Sequence, residues 1–226
     1  MNYAQLFETI KGYVENDFPN TSWTDSAGSG EVTLTSTEQI NTFIEQAEQR
    51  IFNSVQLLDL RKNVTGNCTS GNKYLAVPSD WLSTFSMAVI DGDGSYEYLL
   101  NKDVSFIRSA YPNPNDTGLP AHYSYFDDNV FILGPTPDDN YTIELHYFYY
   151  PQSIVTAGTT WLGDNFDSVL LYGSLLEAYT FMKGEQDVIA GYQKRYDEAL
   201  AMLKQLGEGK NRQDMYRTQQ IRYPVR

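Results

Sequence analysis

The residues best able to do chemistry are few and scattered. Asp91-Gly92-Asp93-Gly94 sets carboxylates at alternate positions, as a calcium loop does. Such a loop also needs a bidentate Glu at its twelfth position, and the twelfth residue here is Lys102. Flanked by runs of β-branched and aromatic residues, the segment reads as a hairpin turn. The two histidines, His122 and His146, lie in separate alternating runs, with no second His or Glu at metalloprotease spacing, so packing or hydrogen bonding is the expected role. Asp127/Asp128 and Asp138/Asp139 fall in turn sequences, where Asp bonds the backbone; a hydrolase would need folding to bring such carboxylates together as a positioned acid and base. The single cysteine, Cys68, excludes an intrachain disulfide and a cysteine metal cluster. Ser26-Ala27-Gly28-Ser29-Gly30 lacks the strand before it and helix after it that make a glycine-rich loop hold phosphate, and reads as a flexible tip. No catalytic residue, metal or cofactor is expected, and the chain is not expected to be an enzyme.

The segment that stands out is the last one. From Glu208 to Arg226 five basic residues (Lys210, Arg212, Arg217, Arg222, Arg226) face two acidic ones, in a chain whose net charge is −13. Met215, Tyr216, Ile221, Tyr223 and Val225 alternate with that charge. A solvated terminus is the common fate of such residues, but it has little use for apolar anchors, whereas an arm that orders on a partner uses both anchors and charge. Arg212, Met215, Tyr216, Arg217, Ile221, Arg222, Tyr223 and Arg226 are the candidate binding residues. Stacking on nucleic-acid bases is the lesser reading.

The elements that position these residues follow from periodicity. Leu6, Phe7, Ile10, Tyr13 and Val14 predict a helix over residues 3 to 15, with Asn2 and Gln5 as cap partners. Residues 18 to 36 read as a loop with room for a small hairpin. Ile40, Phe43, Ile44, Ala47, Ile51, Val55 and Leu58 predict a long helix, with Ser36 and Gln39 as its capping box. Between residues 63 and 150 the period becomes two. Strands are expected at 73 to 77, 84 to 90, 96 to 100, 104 to 108, 121 to 126, 130 to 133 and 141 to 149, with a weaker one at 63 to 69. Residues 166 to 182 are apolar nearly all round, which predicts a helix buried by several neighbours, capped by Asp164 or Asn165. A fourth helix spans 187 to 206 and stops at Gly207.

The fold class is therefore α+β: a four-helix bundle with a β-sandwich or partial barrel inserted between its second and third helices, and an extended C-terminal arm. The expected organisation is residues 1–62 as the first helices, 63–150 as the β region, 151–207 as the last helices and 208–226 as the arm. With 18 Tyr and 11 Phe among 226 residues the chain is too aromatic for disorder, and an excess of Tyr suits wet contact surfaces. The acidic balance disfavours general binding of nucleic acid or anionic membranes. No signal-like or membrane-spanning apolar run occurs, so synthesis in the cytoplasm is expected.

Several pieces resemble, in order and spacing, the head-to-tail connector adaptors of tailed bacteriophages. They are Ile44-Glu-Gln-Ala-Glu-Gln-Arg-Ile51 with Leu60-Arg61; Tyr74-Leu-Ala-Val-Pro-Ser-Asp-Trp-Leu82; Leu133-Gly-Pro-Thr-Pro137; Tyr141-Thr-Ile-Glu-Leu-His-Tyr-Phe-Tyr149; Trp161-Leu162; and Leu171-Tyr-Gly-Ser-Leu-Leu-Glu-Ala-Tyr179. The resemblance runs from about residue 35 to residue 212, and the Thr21 to Thr35 stretch departs from it. It implies a virion structural protein at the head-tail junction: a homo-oligomeric ring, commonly a dodecamer, docked beneath the portal protein by its C-terminal arms. Neighbouring copies, a tail or nozzle protein and fibres are the implied partners, and DNA passes through the channel without specific binding. The apolar-all-round helix is compatible with neighbours supplied by copies in such a ring. The alternative is a tail-associated or fibre-associated module that recognises carbohydrate or another tail protein through its aromatic strands.

Overall fold

A computed structural model of the chain describes residues 1–24, 31–113 and 115–211, without the side chains of residues 31, 210 and 211. The architecture is mixed α+β and divides into two compact units, Met1–Leu58 with Pro151–Arg226, and Asp59–Tyr150.

The first unit is helical. Helix α1 (Tyr3–Val14) opens on the expected box, Asn2 Oδ1 accepting from Gln5 N at 2.9 Å and Gln5 Oε1 from Asn2 N at 3.0 Å, and buries Leu6, Ile10 and Val14. Strands β1 (Thr21–Thr24) and β2 (Glu31–Leu34) form an antiparallel ribbon. Helix α2 (Ser36–Ser54) is capped one residue earlier than its sequence suggests: Thr35 N donates to Glu38 Oε2 at 2.8 Å, and the Thr35 hydroxyl accepts from Glu38 N. Ser36 and Gln39 are occupied elsewhere, the hydroxyl donating to Asp17 O at 2.6 Å and the buried amide to Pro19 O at 3.0 Å, so they tie down the preceding loop.

After Pro151 come α4 (Ile154–Ala157), α5 (Trp161–Asn165), α6 (Asp167–Phe181) and α7 (Gln186–Asn211). Asp164 and Asn165 do not cap α6; they belong to α5, whose cap is Thr160, and α6 follows from Phe166 with no side-chain cap. Val169, Leu170, Leu171, Leu175, Leu176 and Ala178 are all buried, and α6 packs against α1, α2, α5 and α7. The chain's own helices thus supply the neighbours that an apolar-all-round helix demands, and copies in a ring are not needed for that purpose. Gly207 does not stop α7, which continues to Asn211. It is buried where an added Cβ would come 2.8 Å from Gln56 O, so the glycine serves close helix-to-chain approach. Residues 208–211, expected to begin the extended arm, are helical.

The second unit holds β3 (Arg61–Asn67), β4 (Tyr74–Ala76), β5 (Ser83–Ile90), β6 (Tyr96–Tyr98), β7 (Leu100–Asn101), α3 (Val104–Ala110), β8 (His122–Asp127), β9 (Val130–Gly134) and β10 (Thr142–Phe148). Two four-stranded sheets, ordered β3-β10-β5-β6 and β4-β9-β8-β7, share one core. Met87, Val89, Ile143, Leu145 and Tyr147 come from the first sheet, Tyr123, Phe131 and Leu133 from the second, at the alternate positions that a two-residue period places inward.

Two strand expectations are corrected. Residues 96–100 are not one strand: Tyr96–Tyr98 pairs with β5, Leu99 drops into the core, and Leu100–Asn101 pairs parallel with β8. Residues 104–108 are helical, because Ile107 packs against β8 and β9 through one turn of α3. Gly134 makes room there, since a Cβ would meet the Tyr111 ring at 2.6 Å. Over so few residues Val104, Phe106 and Ile107 satisfy either period, and the tertiary contact decides.

Candidate interaction surfaces

The arm residues singled out by sequence, Arg212, Met215, Tyr216, Arg217, Ile221, Arg222, Tyr223 and Arg226, lie outside the described residues. What the structure shows is the helix they continue from. Helix α7 is held along one face by buried Tyr196, Leu203 and Gly207. Nearer its start, Tyr192 stacks on Tyr172 at 6.2 Å and meets Tyr179 edge-on at 5.1 Å, while Arg195 donates to the Tyr172 hydroxyl at 3.2 Å. Burial, then the Tyr179 hydrogen bond, pushes the Tyr192 hydroxyl up to about 12. The opposite face leaves Met202 65% exposed.

The residues that resembled reactive groups are used to build turns and packing. Asp91 Oδ1 accepts from Asp93 N and Ser95 N, both at 2.9 Å, closing the β5–β6 hairpin. Asp127 accepts from Asn129 N at 2.8 Å, and Asp138 takes the Tyr141 hydroxyl at 2.7 Å, a bond that raises that hydroxyl to about 12. His122 Nδ1 pairs with the Tyr111 hydroxyl at 2.9 Å beside the Phe106 ring, and His146 lies 3.5 Å from Glu144. Cys68 is buried, donates to Tyr141 O at 3.5 Å, and has its thiol pushed up by burial, the opposite of an activated nucleophile. Among the described residues no group of three or more His, Cys, Asp or Glu is placed to hold a metal ion.

Two carboxylate arrangements hold structure in place, a buried one in the helical unit and a half-exposed one in the β unit. Glu48, in the middle of α2, is 3% exposed; its Oε1 accepts from Ile154 N at 3.0 Å and fixes the start of α4. Desolvation pushes this carboxyl above its ordinary value. In the β unit Asp80 takes Lys62 Nζ on one oxygen at 2.6 Å and the Tyr147 hydroxyl on the other at 2.7 Å. The Lys62 hydrogen bond is the main cause of its depressed pKa.

What remains is surface. In the helical unit the β1–β2 ribbon pairs Trp23 with Val32 and Thr21 with Leu34, so Trp23, Val32 and Leu34 share one face, and Ser22, Thr24 and Thr33 the other. Trp23 is 49% and Val32 41% exposed. Leu34 continues into a groove of about 300 Å³ between α2 and α6, floored by Phe43 and edged by Phe181 and Glu177. Phe18, Phe43 and Phe181 form an aromatic cluster with centroids 5.3 to 6.2 Å apart.

In the β unit the outer face of β3-β10-β5-β6 carries Phe85 against Phe148 at 6.0 Å, with the Arg61 guanidinium 4.4 Å over the Phe85 ring and 5.5 Å from that of Phe148. A bulge in β5 places Phe85 there by shifting register between His146 and Tyr147. Further along, Tyr96 and Tyr98 are 49% and 69% exposed. Sequence reading anticipated an aromatic β region suited to contacts, but not these particular faces. The alternation Ser22-Trp23-Thr24 and Val32-Thr33-Leu34 carried the ribbon's signal; no local signal marks the bulge.

No helix among the described residues is long and apolar enough to cross a membrane. A family model described as SU10 adaptor protein matches residues 1–223, which includes the N-terminal stretch where the sequence resemblance stops. No curated protein matches the chain.

Proposed function

Because the chain belongs to the SU10 adaptor protein family, we propose that it is a head-to-tail adaptor of a tailed bacteriophage, a ring of copies docked beneath the portal that extends the DNA channel toward the tail. The observation that carries this reading is the family match over residues 1–223, which agrees with the ordered resemblance to connector adaptors. A phage structural role in the virion is the coarser part of it; portal docking, the twelve-fold ring and contacts with a tail or nozzle protein are the finer part.

Physical features support the finer part. A net charge of −13 favours a channel that DNA slides through, since like charge repels phosphate and no counterion-release gain is available. Residues 212–226, basic and studded with apolar anchors, suit an arm that orders on the portal, and many simultaneous arms in a ring multiply a weak single affinity. Nothing in this role requires a catalytic step.

The experiment is to mix the full chain with the portal protein of the same particle and count subunits by electron microscopy, where a closed ring on the portal is expected. Truncation after Asn211, which leaves α7 whole, abolishes docking while circular dichroism and melting of the body stay unchanged. Undiminished docking of the truncated chain overturns the arm, and a chain that never joins the portal overturns the adaptor reading. The exposed aromatics of the β unit, Phe85, Tyr96 and Tyr98, favour a second reading as a tail-associated or fibre-associated module. Saturable glycan binding by the monomer, lost on changing these three to Ser, supports that alternative.

A further inference from the structure

Among the described residues the sheet β3-β10-β5-β6 ends in two open edges, and they are unlike. At one, β3 is exposed along all seven residues. Cys68 N bonds Tyr141 O and Tyr149 N bonds Leu60 O, both at 3.0 Å, so the bonds joining β3 to β10 run through the even-numbered residues. The backbone N–H and C=O of Asn63, Thr65 and Asn67 therefore point away from the sheet. At the other edge the phase is set by Leu99 N to Met87 O at 2.9 Å and Asp91 N to Ser95 O at 3.0 Å, which turns the backbone groups of Tyr96 and Tyr98 outward.

The charges at the edges differ in sign. Residues 61–67 carry two basic side chains, of which Lys62 is already paired with Asp80, and no acidic one; residues 91–98 carry three acidic and no basic. Like charge opposes β3 meeting β3 or β6 meeting β6, and opposite charge admits β3 beside β6. Direction agrees as well. Each step from β3 through β10 and β5 to β6 is antiparallel, so β3 of a second copy, laid beside β6 in the same sheet orientation, pairs antiparallel with it.

We propose that β3 of one copy pairs with β6 of the next, continuing the sheet from copy to copy. In that pairing Tyr98 and Tyr96 lie opposite Asn63 and Thr65 of the neighbour, Arg61 follows on the same face within reach of the Tyr98 ring, where a guanidinium stacks on an aromatic ring, and Glu97 lies on the face of Lys62. The contact is heterologous, two different patches meeting head to tail, the type that builds a ring when the rotation from copy to copy closes and a filament when it does not. This inference rests on the ring reading above, because it names the contact by which copies join.

Two full-length variants test it. T65P deletes an outward N–H and leaves the bonds to β10 intact; E97R reverses the charge of the β6 edge. Assembly is followed by sedimentation velocity over a concentration series, alone and then with the portal protein, with circular dichroism to verify folding. The wild type assembles, and each variant needs at least about tenfold higher concentration. An equimolar mixture of the two stops at a heterodimer, since one intact β6 and one intact β3 remain between them. Should T65P fail to fold, E97R alone carries the comparison. Variants that assemble as the wild type does overturn the edge contact and leave the ring standing; a wild type that forms no assembly alone or on the portal overturns both.

Discussion

The helical unit and the β unit solve the burial problem in different ways. In the first, α6 is wrapped by α1, α2, α5 and α7 of the same chain, and the apolar side chains it presents are covered from Val169 to Ala178, with Phe181 at its end left 57% exposed. In the second, two sheets cover each other's inner faces but leave edges and an outer aromatic face, because a sheet that does not close into a barrel always ends in unpaired backbone. A helix satisfies its hydrogen bonds within itself and needs only side-chain cover. A strand needs a neighbour's backbone as well. Apart from the short β1–β2 ribbon of the helical unit, the β unit is thus where this chain has backbone bonding capacity left over.

The largest test of that division is whether the two cores are energetically separate. Phe131 and Leu175 are both fully buried, one in each unit. Phe131→Ala is expected to cost about 3–5 kcal/mol and Leu175→Ala about 2–5 kcal/mol. Hydrogen exchange by peptide mass spectrometry should show F131A loosening residues 59–150 and L175A loosening the helices. Loosening of both units by either variant would mean one cooperative core, and the contrast would fail.

A second pair of variants sharpens the contrast through pH. Glu48→Ala strands the buried Ile154 N–H and is expected to cost about 1–3 kcal/mol in the helical unit; Asp80→Ala takes one acceptor from the Tyr147 hydroxyl at a half-exposed site where Lys62 stays in reach, and should cost less in the β unit. The two carboxylates then respond oppositely to acid. Glu48, its folded pKa raised above 4.5 by burial, binds a proton more readily folded than unfolded. Its unit therefore gains stability as pH falls through the folded pKa toward 4.5. Asp80, its folded pKa held below 3.8 chiefly by Lys62, contributes stability above 3.8 that is lost as pH falls through the folded value. Denaturation curves of E48Q and D80N against the wild type, taken from pH 7 to pH 3, should flatten one slope each, with opposite sign. Two slopes of the same sign would reject the assignment.

How much of this was legible in the sequence follows the same division. The helices that bury one stripe were readable from Leu6, Ile10 and Val14 or Ile40, Ile44 and Ile51, because their period is local. So were the turns at Asp91 and Asp127, whose side chains bond their own backbone. What was not legible depends on partners distant in sequence. Leu99 splits a strand between two sheets, Ile107 makes a helix of an ambiguous run, and Gly207 marks a close approach to Gln56 and not a helix end. The edges of the β3-β10-β5-β6 sheet belong to this class: Arg61 and Glu97 read as ordinary surface charge until strand order puts them on opposite rims. The arm residues from Arg212 onward were legible only as composition.

A smaller effect separates the two candidate caps of α2. Thr35→Ala removes the hydroxyl that receives Glu38 N and is expected to cost about 1 kcal/mol. Ser36→Ala frees the loop carbonyl of Asp17 without touching the cap, and should cost less. A thermal melt of the two variants side by side reads the difference. A larger loss for S36A would return the cap to the position that sequence alone suggested.

The smallest expected effect bears most directly on whether the helical unit is closed by its own chain. Tyr196 is 3% exposed, its ring packed against Gly173 of α6, and its hydroxyl has no hydrogen-bond partner among the described residues. A buried hydroxyl without a partner costs free energy that a phenyl ring does not, so Tyr196→Phe should leave stability unchanged or raise it by up to about 1 kcal/mol. Chemical denaturation of the isolated chain measures this, and the same variant assembled with the portal gives the comparison. If Y196F is neutral in the isolated chain but weakens the assembly, the hydroxyl finds its partner only there, and the helical unit is completed from outside, as proposed for the β unit. If it is neutral or stabilising in both, the closed helical unit and the open β unit stand as different kinds of structure.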